Sequence, residues 1–169
     1  MIMLLFASAL LAVSVVCTAA GWMHDIPESV SSLVYLLGKS TKWLWTAWLW
    51  AVSFTLCPSL VGAMPDMFEC VGFLTILCVA MCGATPLFVK ERNRIHGIFG
   101  VSACLLSQVC VALICPWSLI LWLAFLYMLV DDVFIARSSR WYDGKITFVA
   151  ESVCALGTYV SLFVSTSLL

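Results

Sequence analysis

A chain of 169 residues that is 64% hydrophobic and only 10% charged is too apolar to gather its side chains into one soluble core, so it reads as an integral membrane protein. Its formal net charge of -1 provides no basic surface of the kind that displaces counterions from phosphates, which argues against a nucleic-acid partner. Most of its nine cysteines fall inside apolar runs, where Cys behaves as a small hydrophobe. Cys57, Cys70 and Cys115 fall toward one membrane face, where a single disulfide is open to them.

Met1 to about Gly21 is uncharged and long enough to span a bilayer. Thr18-Ala19-Ala20 has the look of a signal-peptide cleavage site, but the basic start of such a peptide is missing, and a first transmembrane helix over about 2–21 is expected. Asp25 can cap a following helix, Pro27 suits its first turn and Glu28 complements its dipole. Val30, Leu33, Val34 and Leu37 then recur on one face, with Gly38 as a stop. An interfacial amphipathic helix over about 26–37 is expected, too short to cross.

The second span, about 43–61, opens with the cation and aromatics of Lys42-Trp43-Leu44-Trp45, and Pro58 is expected to kink its far end. A short acidic turn at Asp66 and Glu69 leads to the third span, about 70–89, with Gly83 and Pro86 loosening its last turn. The fourth runs over about 95–115, Pro116 leaves room for a tight turn, and the fifth runs over about 117–136. The sixth covers about 146–167 after the polar turn Ser138 to Gly144.

With six spans, all eight Lys and Arg residues fall on one side: Lys39 and Lys42, then Lys90, Arg92 and Arg94, then Arg137, Arg140 and Lys145. The positive-inside rule places that side in the cytoplasm and both termini outside. The expected fold is an all-α membrane protein of one domain, a six-transmembrane-helix bundle with a short cytoplasmic interfacial amphipathic helix.

Thr147, Glu151, Cys154, Thr158, Ser161 and Ser165 make a narrow stripe on the sixth helix, and His96, Gly100, Ala103, Ser107 and Cys110 make one on the fourth. In lipid such small and polar faces mark helix contacts, so the two helices are expected to pack through them. Carboxylates within spans are functional candidates by default. At about 1.5 Å of rise per residue, Asp131 lies about 9 Å from Arg137, and Glu151 about 9 Å from Lys145 on the next helix. The candidate ligand or ion-binding residues are therefore His96, Asp131, Asp132, Glu151, Arg137 and Arg140, with Asp131 and Glu151 expected to share a site. The structural alternative is pairing of each carboxylate with a nearby cation at a helix end.

No metal or cofactor is expected. Haem would need two facing histidines, whereas His24 and His96 both fall near the cytoplasmic boundary, and Cys78 and Cys82 have no matching ligand pair. Gln108, near mid-membrane, is read as an interhelical hydrogen-bonding residue, with pore lining as the sharper alternative. The run Asp132-Val-Phe-Ile-Ala136-Arg137 resembles part of the core motif of CDP-alcohol phosphotransferases. Val133 stands where that motif has glycine, Leu129 takes the place of an aspartate, and the downstream aspartates are missing, so most metal ligands are absent.

The run Thr85 to His96, with Trp43 to Trp50 before it, resembles uncharacterised small polytopic membrane proteins of Bacteroidetes and their phages; the resemblance implies a bacterial inner membrane and no particular function. The leading expectation is an inner-membrane protein of binding or accessory type with a polar cytoplasmic-side cluster. The alternatives are a small transporter or ion- or proton-conducting protein using the membrane carboxylates and, third, a lipid-headgroup enzyme. The expected partners are the lipid bilayer and either another membrane protein or a second copy of the chain.

Overall fold

The computed structural model of the chain describes residues 1–23, 27–88, 94–131 and 145–167. They form α1 (Ile2–Met23), α2 (Trp43–Ala63), α3 (Glu69–Phe88), α4 (Arg94–Ile114), α5 (Leu121–Val130) and α6 (Ile146–Ser167). Short 3-10 helices cover Ser31–Leu36, Asp66–Phe68 and Pro116–Ile120, and no strand occurs among the described residues. Five stretches are long and apolar enough to cross a membrane: Ile2–Gly21, Trp43–Ala63, Asp66–Leu87, Arg94–Ile114 and Ile146–Ser167. By that measure the chain is a helical, multi-pass membrane protein. The stretch Pro116–Val130 is apolar but shorter. The rest of the expected fifth span, Asp132 included, and the Arg137 and Arg140 that follow it lie outside the described residues.

The helices pack in chain order from α1 to α4. α6 then lies against α4 and α5 and reaches back to α1 and α2. At one end of the bundle, Ser59 at the close of α2 donates to the Met1 carbonyl at 3.4 Å, which sets α1 and α2 antiparallel. The buried cluster Leu5, Leu56, Leu60, Met64, Ile76, Cys110 and Leu162 joins five helices toward that end. Toward the other end, Leu33 and Val34 of the 3-10 helix sit on Trp45, flanked by Val16 and Ala19 of α1 and Trp48 of α2.

Hydrogen bonds from side chains to backbone carbonyls fasten these contacts. Trp48 Nε1 donates to Leu11 at 2.8 Å, Trp50 Nε1 to Ala80 at 3.1 Å and Thr46 Oγ1 to Gly83 at 2.7 Å. Gly83 serves close approach rather than a loosened turn, since a Cβ there would stand 2.8 Å from Cβ of Leu49. Helix α2 continues through Pro58 to Ala63, and α3 through Pro86 to Phe88.

Two sequence expectations shift. The juxtamembrane helix is a 3-10 helix over Ser31–Leu36, shorter than 26–37, and Leu37 already turns to extended backbone before Gly38. Ser29 and Ser32 bond each other's backbone at its start, where Val30 is the last residue before the helix. The stripe on α4 is divided between two neighbours. His96, Gly100 and Cys110 meet Thr85, Cys82 and Thr75 of α3, whereas Ser107 bonds Cys154 of α6, and Gln108 and Val111, one step round the helix, touch α6 beside it. The stripe on α6 faces inward from Cys154 through Ser161, while Thr147 is exposed.

Candidate functional site

The first turn of any helix has N–H groups without intrahelical acceptors, and α6 finds one of them outside itself. Phe148 N–H donates to the Glu28 carbonyl at 3.0 Å. Nearly a turn further on, the Glu151 carboxylate accepts the N–H of Val30 through Oε2 and the hydroxyl of Ser31 through Oε1 at 3.4 Å. The two helix starts thus complete each other's hydrogen bonding. Ser32 N–H donates to Ser29 Oγ at 2.9 Å, and Ser29 N–H to Ser32 Oγ at 3.3 Å, a reciprocal cap of the capping-box kind with serine in the position that usually holds Glu or Gln. A carboxylate beside unpaired N–H groups at a helix start is also electrostatically favourable. Pro27 is fully buried, so this junction is packed as well as bonded.

His96 lies in the first turn of α4 and faces the last turns of α3. Its Nδ1 is 2.7 Å from Thr85 Oγ1 and 3.1 Å from the Cys82 carbonyl, and Cys82 Sγ touches the ring at 3.7 Å. With the proton on Nδ1 the ring donates to these oxygens and closes the α3 to α4 seam.

Asp131 ends α5, its N–H directed to the carbonyls of Tyr127 and Met128. Helices α5 and α6 are neighbours, as the shared-site expectation requires, but the Glu151 oxygens are turned to Val30 and Ser31. Asp132, Arg137 and Arg140 are outside the described residues. Among the described residues no group of three or more His, Cys, Asp or Glu side chains is placed to hold a metal ion, and all nine cysteines, Cys57, Cys70 and Cys115 included, carry free thiols.

Deeper in the bundle, Gln108 of α4 joins three elements. Its Nε2 donates to the Cys154 carbonyl of α6 at 3.3 Å and to Ser107 Oγ at 3.1 Å, while its Oε1 accepts Trp122 Nε1 of α5 at 2.8 Å. Ser8, fully buried on α1, donates to the Val52 carbonyl of α2 at 3.1 Å and lies 2.7 Å from Tyr159 Oη of α6. Sequence reasoning did not single out Ser8, Tyr159, Thr85 or Trp122. The usable signal was a hydroxyl, phenol or indole inside an apolar span, each of which needs a partner there.

No family model, no curated protein and no solved structure matches the chain.

Proposed function

We propose that the chain is a bacterial inner-membrane protein of binding or accessory type, a six-span bundle with both termini outside and its Lys and Arg residues at the cytoplasmic face. The observation that carries this reading is how the polar side chains inside the spans are used. Glu151, His96, Gln108, Ser8 and Tyr159 all take hydrogen-bond partners from neighbouring elements of the bundle, which is the work of a scaffold. A transporter needs instead polar groups that exchange protein partners for a passing ion or water. The orientation rests on the one-sided distribution of all eight basic residues. It is supported by the bond from Phe148 to Glu28, which sets the connection before α2 beside the start of α6, on one side of the bundle.

Two measurements test this. Cysteines introduced at Asn93 and Ser139 should be labelled by an impermeant reagent only after the inner face is opened; labelling of both in intact cells overturns the orientation. Proteoliposomes carrying the purified protein should show no proton, sodium or potassium flux above empty vesicles. A flux abolished by Glu151→Gln would replace the accessory reading with the conducting one.

A further inference from the structure

Residues 27–37 touch three helices at once. They bond to α6 through Glu28, Val30 and Ser31, and they lay Leu33 and Val34 on Trp45 of α2 beside Val16 and Ala19 of α1. The two kinds of attachment differ. The apolar one buries Leu33 and Val34 with Val30 and Leu37 packed beside them, while the outward side of the same segment exposes Tyr35 and Leu36. The polar one converges on the first turns of α6, with Glu151 alone accepting from two successive residues of the segment.

Beneath the segment the surface is not fully satisfied. Trp45 is 3% exposed, packs against Leu33 and Val34, and its indole N–H has no acceptor among the described residues. A buried donor without a partner penalises the covered state, and uncovering returns it to water or lipid headgroup oxygens. The other tryptophans of α2 whose donors are accounted for, Trp48 and Trp50, both reach carbonyls of adjacent helices.

From these observations we infer that residues 27–37 are a strap that opens and closes over Trp45, with the Glu151 carboxylate as its catch. Closed, the strap hides the Trp45 surface between α1 and α2. Open, it uncovers an apolar surface with one free N–H donor at the membrane boundary. The catch is electrostatic, because an ionised carboxylate is a stronger acceptor for Val30 N–H and Ser31 O–H than a neutral group of the same shape. The inference does not depend on the accessory reading, since a conducting protein could carry the same strap.

The test is amide hydrogen exchange read by mass spectrometry on the full-length protein in lipid nanodiscs. In Glu151→Leu, peptides covering 30–37 should exchange at least about tenfold faster than wild type, while those covering 153–165 keep their protection. Glu151→Gln, which keeps an oxygen acceptor and removes the charge, should fall between the two. Unchanged exchange over 30–37 in Glu151→Leu overturns the strap, and Glu151→Gln indistinguishable from wild type overturns the electrostatic catch. If Glu151→Leu also loses protection over 153–165, the bundle itself has loosened and Ser31→Ala decides. Faster exchange confined to 30–37 supports the strap, and wild-type exchange there rules it out.

Discussion

Helices α1 and α6 have the same length, 22 residues, and lie against each other, yet they relate to the bundle in opposite ways. α1 is the more apolar, and of its side chains whose burial is described only Leu5 and Ser8 are buried, while Leu10 is 70% exposed. α6 carries Glu151, Cys154, Thr158 and Ser161, touches α1, α2, α4 and α5, and buries Ser161 completely. In a water-soluble protein the more apolar helix would be the central one. Lipid removes that preference, because hydrocarbon solvates leucine as well as another helix does. What draws a helix inward is close backbone approach and a need for hydrogen-bond partners.

Substitutions that exchange the characters of the two helices are the strongest way to break this comparison. Gly157 of α6 lies against Gln108 and Val111, where a bare Cβ makes ordinary contact and a leucine side chain has no room. Gly157→Leu should cost about 3 kcal/mol in unfolding free energy measured in mixed detergent, and Gly21→Leu on α1, where nothing lies within 4 Å, should cost under about 0.5 kcal/mol. Equal costs would mean that α6 is not the central element.

Next in size is Gln108→Leu, which removes the acceptor of Trp122 Nε1 and a donor to the Cys154 carbonyl; a loss of about 1–2 kcal/mol is expected by the same measurement. Tyr159→Phe deletes only the bond to Ser8 between α6 and α1, and should cost about 0.6 kcal/mol. Smallest is Leu10→Ala on the exposed face of α1, expected within about 0.5 kcal/mol of wild type. A larger loss there in membranes than in detergent would indicate that this face is covered by a partner.

The sequence made some of this arrangement legible. Long apolar runs bounded by charges, Pro and Gly located five stretches long enough to cross, and α6 runs over Ile146–Ser167 as its run implied. The stripe on α6 was visible because small and polar residues recur there at helical spacing. The partner of Glu151 was not visible. Reasoning by depth and sequence adjacency looked only to Asp131 on the preceding helix and did not see that its oxygens reach Val30 and Ser31, 121 and 120 positions away. At Val30 the partner is a main-chain N–H, and every residue except proline has one, so no letter marks it. Gln108 was recognisable as an interhelical residue, but its meeting with Trp122 depends on how Pro116–Ile120 turns the chain between α4 and α5.

The seams joining α2 to its neighbours share a property with evolutionary consequences. Ser8, Trp48 and Trp50 all donate to main-chain oxygens, those of Val52, Leu11 and Ala80. At these three bonds only the donor side constrains the sequence. The donor must remain a hydroxyl or an indole, while the acceptor position can drift among residues that keep the helix. Substitutions at 8 and 52, or at 11 and 48, should then show no compensating covariation in an alignment of related chains. Contact inference from correlated positions would under-call these helix pairs, even though they are among the directly bonded ones.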